Sequence, residues 1–268
     1  ATPVSDHYAL TLYALENGCS VFCEKVLSKQ MSEIENLYRV ANKTGVCLRE
    51  GFTFLTNPAI QYIKGAINAK DLGKVYCVTL KRTGLGPCRS DVDVIFDLAA
   101  HDVSILNFWF GLPEWVIASS VNVIDQSKAD ISFIQLGYKN GMVANVQVSW
   151  INPMKQRLIE VVGEKSMIVF DDVDTTEKIR IITTGKDYHK DIKDFGSFQL
   201  AVKDGDIVIP NLKYGEPLSI GIESFVNAVF DYNKNNESSA KISREVNQVL
   251  CAMHNSLHTN NQKVYLDE

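Results

Sequence analysis

Apolar residues recur at helical spacing along the N-terminal part of the chain, and each such run stops at a turn residue before a short apolar segment. Tyr8, Ala9, Leu12 and Leu15 follow Ser5, which can cap a helix, and Gly18 ends the run; Ser20 to Cys23 then reads as a short buried strand. Met31, Ile34, Leu37, Tyr38 and Ala41 predict a second helix ending at Gly45, with Val46 to Leu48 as the next strand. Asn57-Pro58 supplies a cap followed by proline at the first helical position, and Ile60, Ile63 and Ile67 give that helix its inward face. Helix and strand in alternation predict an α/β layer around a parallel sheet.

From Lys74 the period changes. Val75 to Arg82 predicts a strand, Gly84 to Pro87 a turn, and Val94 to Phe110 one continuous helix. Strands follow at Val116 to Ile124, Ile131 to Tyr138, Met142 to Trp150, Leu158 to Val162, Met167 to Phe170 and Ile179 to Thr183, with Lys139-Asn140-Gly141 as a hairpin turn. Such a run reads as a large, mostly antiparallel sheet in a unit of its own, residues 74–268, after a first unit of residues 1–73. Helices at Ile220 to Tyr232 and Arg244 to His258 close the chain and are placed to pack back on the first unit.

Composition narrows the function classes. The 268 residues are 46% hydrophobic, enough for a sizeable core, and the net charge of −5 gives no basic field for nucleic acid. No apolar run has the length of a membrane span, and no basic start with an apolar core marks a signal peptide, so a cytoplasmic protein is expected. Six cysteines, at 19, 23, 47, 77, 88 and 251, form no Cys-x-x-Cys pair and read as buried free thiols of a reducing compartment.

Candidate chemistry centres on Asp97-Leu98-Ala99-Ala100-His101. At helical spacing the carboxylate and the imidazole lie within ~40° of each other, and such a pair suits proton abstraction from a hydroxyl near neutral pH. A solvated helix-face pair has the same spacing. Glu24-Lys25 follows the first buried strand, where ligands bind in open α/β sheets, although lysines at strand ends are also ordinary solvated residues. Thr83-Gly84-Leu85-Gly86-Pro87 lacks the third glycine of a dinucleotide loop and reads as a plain turn. His254 and His258 have metal-compatible spacing without a nearby third ligand, so they read as a polar helix face and no metal is expected.

Ala1-Thr2-Pro3-x3-His7, Glu24-Lys25, Gly51-x-Thr53-Phe54-x2-Asn57-Pro58, Gly86-Pro87-x-Arg89-Ser90-Asp91 and Asp97-x3-His101-Asp102 stand in an order and spacing that resembles the glucose-fructose oxidoreductase/inositol dehydrogenase (Gfo/Idh/MocA) family. Ser149-Trp150-Ile151-Asn152-Pro153, Val162-Gly163-Glu164 and Glu216-Pro217-Leu218 extend the resemblance over nearly the whole chain. It implies a Rossmann-type parallel sheet followed by a domain with an open antiparallel sheet that forms a homodimer or homotetramer. It implies NAD or NADP as cofactor and hydride transfer from a hydroxyl carbon of a sugar, sugar derivative or cyclitol. Carried over by motif, Lys25, Asp97 and His101 are catalytic: Lys25 contacts the substrate hydroxyl and the nicotinamide side, His101 is the general acid/base, and Asp97 orients it or binds substrate. Thr2, Pro3, His7 and Glu24 line the cofactor, and Asn57 and Arg89 touch the substrate.

Three departures from the family pattern bear on these roles. Val26 replaces a proline that is commonly cis in relatives, which removes a preference for that geometry and would aim Lys25 differently. Phe52 stands where relatives often have histidine, putting an apolar ring near the cleft. Members of the family begin with roughly 60 to 80 further residues carrying a glycine-rich phosphate loop, and this sequence starts where that half ends. A dehydrogenase acting on CH–OH groups is therefore one reading, and a non-catalytic oligomerising or sugar-binding protein that has lost cofactor binding is the other.

Overall fold

The computed structural model describes residues 2–124, 126–183, 205–213, 215–230 and 236–266. Helix α1, Val4–Glu16, starts one residue before Ser5, with Pro3 at its entry. Strand β1, Val21–Glu24, pairs in parallel with β2, Leu48–Gly51, in the register Val21 to Leu48 through Glu24 to Gly51. Between them α2, Met31–Thr44, ends on Gly45 in the left-handed conformation (φ 69°). The Val46 N–H turns back to Ala41 O at 3.1 Å. This C-terminal closure takes up the start of the expected Val46 to Leu48 strand, which explains why β2 begins later. A 3₁₀ turn at Thr53–Thr56 leads to α3, Pro58–Asn68, where the Asn57 carbonyl oxygen accepts the Ala59 N–H at 2.9 Å.

Among the described residues the second sheet has nine strands. Four come first along the chain: β3 (Val75–Leu85), β4 (Trp115–Val121), β5 (Ile131–Gly137) and β6 (Val143–Ser149). They are followed by β7 (Ile151–Gly163), β8 (Ser166–Asp171), β9 (Ile179–Thr183), β10 (Ile207–Val208) and β11 (Val264–Tyr265). Their order across the sheet is β10-β9-β8-β7-β3-β6-β5-β4-β11. All neighbours are antiparallel except β3 and β6. Strand β7 is longer than the apolar run Leu158 to Val162 predicted, because its polar N-terminal half also pairs with β3.

The helix expected over Val94 to Phe110 is divided into a π turn, Ile95–Ala99, and α4, Ala100–Phe110. Asp93 Oδ1 accepts the N–H groups of Ile95 and Phe96, both at 3.1 Å, and so caps the turn. The closing helices are α5, Pro217–Phe230, and α6, Asn236–His258, so α6 starts well before Arg244; Asp231 and Tyr232 lie outside the described residues.

One face of the large sheet carries Val78, Leu80, Val146, Val148, Ile159 and Val161, buried beneath helices. A smaller core joins α1, α2, β1 and β2 through Leu15, Leu27, Ile34, Leu37 and Leu48. Helix α6 touches α2 and β2 on one side and α4 and β4 on the other, so it pins the two layers together. All six cysteines are free, but Cys19 and Cys88 are exposed, against the expectation that the thiols are buried; both lie outside regular elements. Among the described residues no helix is long and apolar enough to cross a membrane.

Candidate active site

At the end of β1 the Lys25–Val26 peptide is cis even though the second residue is valine, and the Val26 side chain is buried in the larger core. Lys25 is directed at the π turn. Its ammonium donates to the Asp97 main-chain carbonyl and stands 3.3 Å from Asp97 Oδ1. Asp97 Oδ2 accepts the Trp150 indole N–H at 3.0 Å, and Arg89 Nη1 lies 3.5 Å from Oδ1. The carboxylate's partners are Lys25, Trp150 and Arg89; none of its hydrogen bonds goes to His101, so within this structure it orients the lysine. Burial lowers the Lys25 pKa, the Asp97 carboxylate works against that, and the Arg89 and Arg82 charges add to the lowering.

His101 opens α4 one turn further on. Its Nδ1 is buried and has no hydrogen-bond partner among the described residues. Burial first, then the positive charges of Lys25, Arg82 and Arg157, hold its pKa well below 6.5, so the imidazole is neutral at physiological pH and can accept a proton. The ring meets Phe54 edge-on with centroids 5.2 Å apart, and the Arg82 guanidinium lies 4.4 Å from the other ring's centroid, over Phe54. Arg82 is buried and forks onto Asp102 of α4, with Nε–O distances of 3.1 Å and an Nη2–Oδ1 distance of 2.7 Å.

Asp97 and His101 line a cleft of about 440 Å³, whose other walls include Arg82, Arg89, Trp150, Lys155 and Arg157. Its floor continues the covered face of the sheet. On β3 the series Val78, Leu80, Arg82 runs from core to cleft, and on β7 Val161, Ile159, Arg157 does the same. Residues 83–87 also line this cleft, so the segment expected to be a plain turn carries β3 to Leu85 and then forms a wall. Arg89 belongs to the site, where its guanidinium holds the Asp91 carboxyl down at about 2.

A second cleft of about 320 Å³ opens at the C-terminal end of β1, lined by Thr2, His7, Phe22, Glu24, Leu218 and Ile222. Both His7 ring nitrogens face carbonyl oxygens, Val26 O at 2.7 Å and Thr2 O at 3.0 Å, so its polar atoms hold the chain entry to the residue after Lys25. Glu24 faces this cleft, while Lys25, the next residue, is bonded to Asp97 on the wall of the first. Apolar walls with a carboxylate at the edge fit a flat nicotinamide ring carrying polar substituents. Pro3 is exposed at the start of α1 and does not line this cleft.

Two expected positions lie elsewhere. Asn57 is a buried helix cap whose oxygen is used by Ala59, which leaves it no place in the cleft lining. Phe52 is a core residue, 7% exposed, packed within the larger apolar cluster and not at the cleft surface. Sequence reasoning did not assign roles to Arg82, Trp150, Lys155 and Arg157. The signal available for the arginines was charge at strand positions whose alternation would otherwise be apolar.

Residues 1–52 match the family model described as "Oxidoreductase family, NAD-binding Rossmann fold", and residues 60–169 match "GFO/IDH/MocA C-terminal domain". The chain is similar to UDP-N-acetylglucosamine 3-dehydrogenase of Acidithiobacillus ferrooxidans, 26% identical over 85% of this chain and 68% of that protein. It is also similar to scyllo-inositol 2-dehydrogenase (NAD(+)) of Bacillus subtilis, 24% identical over 62% of this chain and 52%, about half, of that one. A solved structure of the Acidithiobacillus ferrooxidans dehydrogenase shares the fold, with a TM-score of 0.80 over 98% of this chain and 79% of its own.

Proposed function

The chain belongs to the GFO/IDH/MocA oxidoreductases, an NAD-binding family, and from that membership we propose that it oxidises a hydroxyl carbon of a sugar or cyclitol with NAD or NADP. The observation that carries this reading is that Asp97 and the buried His101 line one cleft, with Lys25 bonded to Asp97 at its wall and Glu24, next to Lys25 in sequence, facing the second cleft. Thr2 and Glu24 would hold the nicotinamide end, with residues 1–73 as the cofactor-side unit and residues 74–268 supplying the substrate cleft. When bound there, the cofactor supplies an acceptor for the hydride that leaves carbon.

The protein's own residues handle the proton and the oxygen. His101, kept neutral by burial and by surrounding cations, takes the hydroxyl proton. Lys25, held by Asp97, donates a hydrogen bond to the same oxygen as negative charge builds on it. Trp150 and Arg89 fix the carboxylate and so fix the lysine. The two departures that weighed toward a non-catalytic protein lose force here, since Phe52 is core and Lys25 reaches Asp97 despite Val26.

The uncovered face of the large sheet, with Phe133 49% exposed, supports assembly into a homodimer or homotetramer through that face. Free thiols throughout support a cytoplasmic location.

The test follows reduced nicotinamide formation with a panel of sugars and cyclitols. His101→Ala should lower turnover by ~100-fold or more while a fluorescence titration shows NADH still bound. Undiminished turnover rejects the proton-acceptor role, and absence of NADH binding both by this chain and by a form extended upstream of Ala1 returns the non-catalytic reading.

A further inference from the structure

We propose that the substrate carries an anionic group, a phosphate ester or a carboxylate, and that Lys155 and Arg157 on β7 receive it at the mouth of the cleft. This rests on the dehydrogenase reading and narrows its substrate class. Among the described residues that line the cleft, four are cationic, Arg82, Arg89, Lys155 and Arg157, against a single carboxylate, that of Asp97.

Their existing partners differ. Arg82 is held by the buried Asp102 through Nε and Nη2. Arg89 is engaged by Asp91 and Asp97. Arg157 meets Asp172 at 3.2 Å, but that carboxylate is shared with Lys178 at 3.6 Å, and the Arg157 side chain is 43% exposed. Lys155 is exposed and has no carboxylate partner among the described residues. Among the described residues, two cations at the open end are thus left with unused donors.

A solvated lysine on a convex surface needs no explanation, but these two lie in a concave site. Arg157 is the direct cross-strand partner of Arg82, and like charges placed opposite each other on a sheet destabilise it. Arg157 also contributes to the positive field that disfavours protonation of His101, so its charge is felt at the reacting end of the cleft. An anion seated between Lys155 and Arg157 would satisfy their donors, offset the repulsion and orient the sugar with its hydroxyls toward His101. A neutral polyol would do none of these.

Calorimetric titration of the full chain with glucose, myo-inositol, glucose 6-phosphate, glucuronate and UDP-N-acetylglucosamine tests this. At least one charged ligand should bind more tightly than the neutral pair and lose affinity as salt rises. Comparison of the phosphate ligands with glucuronate identifies which anion is used. Lys155→Ala and Arg157→Ala should each weaken that ligand by roughly 10- to 100-fold, the range expected for a charge-assisted hydrogen bond. Equal affinity for charged and neutral ligands, no binding of any charged ligand, or unchanged preference in the double variant overturns the proposal. Charged ligand bound through Lys155 and Arg157 but never oxidised would refute the dehydrogenase reading and leave this one standing. Oxidation of neutral polyols through His101 without preference for charge would do the reverse.

Discussion

Glu50 sits at the end of β2 with 7% exposure, one oxygen accepting the Leu27 N–H at 2.9 Å and the other, Oε2, without a partner. Burial raises its pKa from 4.5 to about 7, although the Ser243 hydroxyl, the Leu27 N–H and the Lys25 charge pull the other way. Below about pH 4.5 the carboxyl is neutral in both folded and unfolded chains. As pH rises toward 7 the unfolded chain ionises first, so the folded state loses stability across that window and the loss levels off above it. At about 1.4 kcal/mol per pH unit the full loss is ~3 kcal/mol, of which ~2.5 kcal/mol accrues between about pH 5 and about pH 8. Glu50→Gln keeps an oxygen for Leu27 and cannot ionise. Urea unfolding of both proteins at these two pH values isolates the effect, because any pH-independent cost of the amide cancels in the comparison. The variant should gain ~2 to 3 kcal/mol relative to wild type on going from the lower to the higher pH. A stability difference that stays constant between the two would show that Glu50 titrates as an ordinary carboxyl and that its burial has been misjudged.

Other outcomes follow from the same structure. Asp102→Ala leaves the buried Arg82 guanidinium without its counter-ion and should cost ~3 to 5 kcal/mol in urea unfolding; a loss under ~1 kcal/mol would mean water reaches the arginine. The acid limb of kcat/KM should lie well below pH 6.5, because His101 in the free enzyme resists protonation, while an anionic substrate should move the limb in kcat to higher pH; coincident limbs near 6.5 contradict both statements. The same depression means that stability falls as pH drops below about 6.5, where the unfolded chain takes up a proton that folded His101 refuses. Phe133→Asp on the uncovered sheet face should halve or quarter the mass read by light scattering, and a monomeric wild type would remove the premise.

Most of the layering was legible because core positions repeat with clean periods: Ile60 and Ile63 on α3, and the alternating Val143–Ser149 strand, announce both type and inward face. Boundaries failed where a backbone closure or a polar residue intervened. The Gly45 turn delayed β2, the Asp93 cap set apart a π turn within an apolar run, and Lys155 to Arg157 hid half of β7. Motif resemblance located Lys25, Asp97 and His101, but not the contacts among them. That Asp97 serves Lys25 and that His7 bridges two carbonyls depend on distances across the fold, which no local spacing encodes.

The strands that floor the cleft are the same strands that fill the core, and this ties recognition to alignment. A slip of one residue along β7 would send Ile159 and Val161 outward and Arg157 to the far side in a single step. The apolar half of each strand thereby acts as a vernier for the charged half: the large energetic penalty for misplacing valine and isoleucine fixes where a guanidinium ends up. Substitutions at the charged ends can change what is recognised with little disturbance to the core, whereas an inserted or deleted residue within β3 or β7 would erase recognition even though every side chain needed for it were still present.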